Sequence, residues 1–524
     1  MRKIFCVLVV LCMLLGTGCN NTTMDYSSSD TAVIEPPTQL EKTKVMSLLY
    51  SYSDSFNPYV AKTTANREIS TLLYDSLVKT DNQFNVKYVL AKSVEITEKV
   101  CTVSLCDATF TDGTAVTADD VVYSYNLAKG CARYTHNFYE VASVAALNPR
   151  TVVFNLTQHD PYFINLLTFP IIKSGTSGMT DGDGKEVHPI GCGRYFISTD
   201  GTSLDINKNY YGKIGSIEKI NLINSPDAAS TTNYVEIGAT AMYYTDSGDI
   251  VRMSGKKTEV NLNRLIYIGV NDSYGSLATH EMRYAISSAL DREEICRTAY
   301  FNNAVPAQGF FNPSFEPTQA HQTIENKPSL KITVENLAKI GYNNLNASGF
   351  YANSSGNNPV FSLLVNSEND SRVAAANVIV QQCKAAGIQI NVVTCTYAQY
   401  LERLASGNFQ LYLGEIQLLN NMDFTQLVIA GGSAAYGVSN LSDAVQSENT
   451  IEQPIVQDAP CKVILDSYHA GQCSISDVAG TLLTEMPQIP ICYLNGILFY
   501  SSDIVGDVRA SSSDIYLEFE NYQF

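Results

Sequence analysis

The residues able to do covalent or metal chemistry are few, and their spacing does not suit it. A serine hydrolase of the nucleophile-elbow kind carries a glycine two places before and two places after its serine, on a sharp turn between strand and helix. Ser177 and Ser433 each have the first glycine and lack the second. His280-Glu281 opens like a zinc-protease helix, in which two histidines four apart share one face, but Tyr284 stands where the second histidine belongs. The chain has six histidines and none of them pair at ligand spacing. Asp181-Gly182-Asp183-Gly184 has the composition of a calcium loop without the order of an EF-hand, so a solvated turn is expected there. Binding without turnover is therefore the expected activity, with no catalytic residue, no metal ligand and no cofactor; a secreted hydrolase or peptidase is the alternative class.

A binding surface needs a frame, and the alternation of short strands and capped helices supplies an α/β one. Strands are expected at 46–52, 151–156, 217–223, 265–271, 361–365, 388–392 and 409–413, and helices at 69–77, 371–386 and 398–405. Gly387 and Gly407 follow the last two helices, where a residue of positive φ closes a helix. Thr117 with Asp120 three residues on matches a capping box, so a helix is expected from Ala118, with Val121, Val122, Tyr125 and Ala128 on its buried face. Asp119, Asp120 and Arg292 are expected to serve as cap and ion-pair residues rather than ligand contacts.

The whole chain of 524 residues is too long for one simple core and implies two or three domains. Its net charge of −18, without basic clusters, excludes nucleic acid as the expected partner. Tryptophan is absent and tyrosine abundant, at 32 residues, and the apolar ring and polar tip of tyrosine suit a ligand cleft as well as a core. Residues 1–19 read as a signal peptide: Arg2-Lys3, an apolar run from 4 to 15, then Gly16-Thr17-Gly18 before Cys19. That exit resembles a bacterial lipobox, with Gly16 where leucine is usual, and makes Cys19 the expected lipidation site. Residues 20–44, rich in serine and threonine with Pro36-Pro37, read as a flexible tether. The ten later cysteines are scattered, show no CxxC pairs, and are expected to be mostly buried free thiols.

The block Phe110-Thr111-Asp112-Gly113, running on through Thr117-Ala118-Asp119-Asp120-Val121-Val122, resembles a signature of solute-binding protein family 5. Those proteins are extracytoplasmic receptors for oligopeptide, dipeptide and nickel importers of the ABC type. A second matching block runs from Met282-Arg283-Tyr284-Ala285-Ile286 to Ala289-Leu290-Asp291-Arg292. A looser one is the turn Gly191-Cys192-Gly193, followed by Lys208-Asn209-Tyr210-Tyr211, in which tyrosine replaces the family's tryptophan. The resemblance implies a two-lobed α/β periplasmic-binding-protein fold, type II and cluster C-like, with an extra subdomain in lobe I. Lobe I would comprise 45–63, 182–262 and 480–524, its subdomain 64–181, and lobe II 263–479.

What the resemblance implies for function is capture of a peptide or peptide-like solute between the lobes by a monomer, lipid-anchored outside the cell membrane. Delivery would then be to an ABC permease and its ATPase; a sensing role without an importer is the other binding alternative. On lobe I the family's contact loop corresponds to Lys62, Thr63 and Thr64. On lobe II the family's glycine-tryptophan pair and ammonium-binding aspartate fall on Gly414-Glu415-Ile416-Gln417-Leu418, which puts Glu415 at the tryptophan and Leu418 at the aspartate. An ammonium buried against leucine would be unpaired. Either Glu415, with Gln417 nearby, supplies the carboxylate from a shifted place, or the ligand has no ammonium there, or the register slips and Asp423 is the anchor. Tyr436 and Tyr493 are the expected apolar walls.

Overall fold

The computed structural model describes residues 44–184, 186–246, 253–439 and 459–524. The expected signal peptide with Cys19, and the expected tether apart from Lys44, lie outside the described residues. Three larger sheets carry the described chain. One has four strands in the order Val45–Tyr50, Lys219–Asn224, Ser203–Ile206 and Tyr195–Ile197, the first pair parallel. A second is an antiparallel set of four, Ala91–Thr97, Val100–Leu105, Thr151–Leu156 and Val141–Asn148. The third has seven strands; its main path runs Met242–Thr245, Ile489–Tyr500, Lys256–Val270, Leu411–Gln417, Val360–Asn366 and Gln389–Cys395.

Apolar side chains gather into two separate cores. The first collects Leu48, Ile69, Val103, Phe154, Ile220, Leu498, Tyr516 and Tyr522; the second collects Leu265, Ile286, Leu364, Ile379, Leu413, Leu482 and Tyr493. Two neighbouring antiparallel strands pass from one core to the other. Lys256–Val270 places Val260 and Leu262 in the first core and its residues from Leu265 onward in the second. Ile489–Tyr500 does the reverse, with Ile489 to Tyr493 in the second core and Leu498 in the first. Their pairing is interrupted by a bulge between Asn261 and Arg264, where fully buried Asn263 takes a φ of +51°. Asparagine tolerates that left-handed conformation better than most residues, and its amide donates to the carbonyl of Leu419 at 3.1 Å while its own carbonyl receives the Leu418 N–H. A bulge twists and bends a strand, so the local kink sits where the chain changes cores.

The helix expected from Ala118 runs Ala118–Lys129. Thr117 donates from both its backbone N–H and its hydroxyl to one Asp120 oxygen, each at 2.8 Å, while the other oxygen accepts the Ser174 N–H at 2.8 Å. The helix expected at 69–77 starts earlier, as Thr64–Leu73, because Thr63 accepts the Asn66 N–H and caps it. The Met282 to Arg292 block is two helices, His280–Ser288 and Arg292–Ala299, since the Asp291 carboxylate caps the second by accepting the Glu294 N–H at 2.9 Å. Arg292 is not the ion-pair residue expected: it is fully buried and donates to carbonyl and hydroxyl oxygens. All ten later cysteines are free thiols in the structure.

Candidate functional site

A cavity of about 720 Å³ opens where the two cores meet. The helix Thr64–Leu73 presents Thr64, Arg67 and Glu68 to it, and the loop before the strand Val141–Asn148 presents Arg133, Tyr134 and Glu140. The kinked strand contributes Leu262 and Arg264. From the opposite side come Ile416 to Asn421, at the end of the strand Leu411–Gln417 and in the loop after it, followed by Asp423.

Three guanidiniums border this space. Arg67 donates to Thr64 Oγ1 at 3.1 Å, and its buried Nε has no hydrogen-bond partner. Arg133 lies 3.7 Å from Glu68 and over the Tyr134 ring. Arg264 reaches Asp246 at 3.5 Å and Glu415 at 3.7 Å. Burial raises the Glu68 carboxyl above the ordinary glutamate value, and the charges of Arg133 and Arg67 oppose that shift. None of these pairs is a close bidentate one, so the guanidiniums keep donor capacity for a planar anion such as a carboxylate.

The acidic residues lie along the seam between the cores. Glu140 comes from the first body, while Asp423 and His469, the last residue of the helix Pro460–His469, come from the second. Asp423 is 3.6 Å from the His469 ring. Burial pushes Asp423 up, but the nearby His469 ring and hydrogen bonds from Thr425 outweigh it and hold the carboxyl below the ordinary aspartate value. Glu140 goes the other way: burial, then the charge of Asp423, then that of Asp160, raise it. Asp160 is raised to about 6, chiefly by burial, against a hydrogen bond from Asn421.

Among the residues expected from sequence, Thr64, Gln417 and Asp423 line the cavity, and Leu418 faces it too. Lys62 is exposed, its backbone N–H donating to Asp54 at 2.9 Å. Thr63 is occupied as a cap, its hydroxyl donating to Asp54 at 2.7 Å, and borders a smaller neighbouring cavity of about 360 Å³. Glu415 points to Arg372 at 2.8 Å and Arg264, outside the lining set. Tyr436 packs on Tyr412, with ring centres 6.2 Å apart. Tyr493 lies in the second core, 1% exposed, its hydroxyl donating to the Phe310 carbonyl. Sequence reasoning missed Arg67, Arg133, Glu140, Arg264 and His469. Arg67 alone had a local signal, three residues after Thr64 and so on the same helical face.

A binding cleft between two α/β bodies joined by crossing strands defines a two-lobed solute receptor. The chain belongs to the bacterial extracellular solute-binding proteins of family 5, whose middle-region model matches residues 85–436, more than half its length. It is 24% identical over 383 residues to the oligopeptide-binding protein AppA of Bacillus subtilis (strain 168), covering 68% of this chain and 69% of that one. It is 25% identical over 308 residues to the glutathione-binding protein GsiB of Escherichia coli O6:K15:H31 (strain 536 / UPEC), covering 55% of this chain and 60% of that relative's length. Among solved structures, that of a nickel ABC transporter protein from Bacillus halodurans superposes with a TM-score of 0.72 at 18% identity, covering 92% of this chain and all of that one. The fold is the two-lobed periplasmic-binding-protein fold with its extra subdomain in lobe I. Family membership makes this an extracytoplasmic binding protein rather than an enzyme. No helix of the described residues is long and apolar enough to cross a membrane.

Proposed function

We propose that this protein captures a peptide or peptide-like small solute between its lobes and hands it to an ABC permease driven by an ATPase, while held at the outer face of the cell membrane by lipid on Cys19. The division between lobes falls inside the two crossing strands, at Asn261–Arg264 and at Leu494, so the 480–488 segment belongs with lobe II. The observation that carries the reading is the polar cleft of about 720 Å³ at that junction, bordered by Arg67, Arg133 and Arg264. Its size suits a small solute, and its guanidiniums suit a ligand with a carboxylate or similar planar anion. In the register that sets Leu418, rather than Asp423, at the place of the family's ammonium-binding aspartate, this leucine, 3% exposed, offers no charge to an ammonium. Recognition through the anionic end fits this lining better. The names of the relatives, an oligopeptide binder and a glutathione binder, support the same solute class.

A thermal-shift screen of short peptides and amino-acid conjugates tests this. A ligand at a hundredfold excess over its dissociation constant stabilises the native state by about 2.7 kcal/mol. The paired change Arg67→Met and Arg264→Met is expected to weaken the ligand found by roughly 10²–10⁴-fold, because each charge-assisted hydrogen bond is worth about 1.5–3 kcal/mol. Unchanged affinity would remove the arginines from the site, and consumption of the peptide by pure protein would favour a hydrolase. For the anchor, Cys19→Ser is expected to move the protein from membrane to soluble fractions; a variant as membrane-bound as the parent would rule the lipid out.

A further inference from the structure

We infer that Glu140, Asp423 and His469 form a binding site for one divalent transition-metal ion that clamps the two lobes together. The three residues come from distant parts of the chain and each offers one donor atom, all lying within 4.8 Å of one another. Donors around a tetrahedral zinc ion at about 2.0–2.2 Å lie about 3.3–3.6 Å apart, so side-chain rotations that close the set by about 1 Å bring it into range.

Among the described residues, no lysine or arginine forms an ion pair with Glu140 or Asp423. Glu140 Oε1 accepts a hydrogen bond from Gln158, whereas Glu140 Oε2 is buried with no hydrogen-bond partner. The neighbouring groups are Asp423 and His469 from the second lobe, which complete the set, and Asp160 from its own lobe, held by Asn421 at 2.8 Å. Two carboxylates in such a place need either a shared proton or a positive ion. Asp423 is already oriented for the second option, since its Oδ1 accepts the Thr425 N–H at 2.9 Å and the Thr425 hydroxyl at 2.6 Å, the kind of outer bond that fixes a metal ligand.

Two carboxylate oxygens and an imidazole nitrogen suit zinc, nickel or cobalt(II) over magnesium, which prefers an all-oxygen octahedral set. Position gives the ion its consequence. The seam here already joins the lobes, through the His159 N–H on the His469 carbonyl at 2.9 Å, Asn421 on Asp160 at 2.8 Å and Asn165 on the Asn420 carbonyl at 3.0 Å. An ion bound by Glu140 from one side and by Asp423 and His469 from the other would favour the arrangement in which the lobes touch. Both carboxylates also line the solute cavity, so the coordination position left open by three protein donors faces the cleft.

The test is calorimetric titration of zinc into untagged full-length protein stripped with a chelator, without peptide, so that it stands apart from the identity of the solute. One zinc per chain is expected, with Glu140→Gln and His469→Gln each weakening it at least tenfold and magnesium giving no heat. Cobalt(II) in place of zinc should give a visible spectrum without thiolate charge transfer, separating this site from the cysteines. Zinc should raise the melting temperature of the parent and leave those of Glu140→Gln and His469→Gln unchanged. Absence of zinc binding would overturn the proposal. Equal affinity in parent and triad variants, or a thiolate spectrum, would overturn it as well.

Discussion

Replacing Arg292 by alanine is expected to cost about 3–5 kcal/mol of stability, the range for deleting one member of a fully buried polar network. The side chain is completely enclosed in the second lobe. Its Nε and Nη2 both donate to the Pro490 carbonyl at 3.0 Å, Nη1 donates to the Ser287 carbonyl at 3.1 Å, and Nη2 also donates to the Ser287 hydroxyl at 2.8 Å. These acceptors are uncharged, and burial pulls the guanidinium down to about 10. Arg292 therefore joins the start of its helix to the end of the preceding helix and to the crossing strand Ile489–Tyr500. Truncation removes the guanidinium donors from the Pro490 carbonyl and from the Ser287 carbonyl and hydroxyl, and opens a void. Arg292→Met fills the void without restoring the donors and should fall between alanine and the parent. Urea unfolding followed by far-UV circular dichroism checks the order; a loss below about 1 kcal/mol in Arg292→Ala would contradict the account.

A loss of similar size, about 3–5 kcal/mol, is expected for Lys79→Met, this time in the first lobe. Lys79 Nζ is 2.7 Å from Asp514 and 3.6 Å from Asp75, both carboxylates being 2% exposed. Burial lowers the lysine's affinity for its proton, and the two negative charges more than restore it, so its pKa is raised. A group raised in this way contributes its full stabilisation below its unfolded pKa and loses it only at alkaline pH, so neutral conditions show the whole effect. Asp514 also accepts the Thr71 hydroxyl at 2.8 Å and the Tyr516 N–H at 2.9 Å. Removing the cation leaves two enclosed carboxylates facing each other. The double variant Lys79→Met with Asp514→Asn should therefore be more stable than Lys79→Met alone. Simple additivity of the two changes would show that the three groups do not act as a unit.

The parts of the fold that could be read from sequence are those encoded within a few residues. Thr117 and Asp120 specify a helix start whatever lies around them, and Gly387 and Gly407 mark helix ends at φ of +81° and +70°. The break at Asp291 was written in the same local language but hidden by the apolar periodicity that continues across it. The cleft was harder. Thr64, Gln417 and Asp423 were reached through resemblance. Tyr493 has the composition of a cavity wall, yet its strand is covered on both faces, which no single stretch of sequence reveals. Glu140 and His469 acquire meaning only when the loop at 140 and the helix ending at 469 are brought to one seam, and nothing in either neighbourhood announces the other.

The contact between Lys79 and Asp514 also bears on how the chain folds. It closes the first lobe with residues far apart in sequence, and Tyr516, Phe519 and Tyr522 complete the same core. Without that segment Lys79 keeps only Asp75 as a partner, and an apolar face of the first core is uncovered. Contacts of such long sequence separation form slowly, because the loop must be closed before the contact stabilises anything. The first lobe therefore cannot close its core from one continuous stretch of chain; closure waits until these distant parts have met.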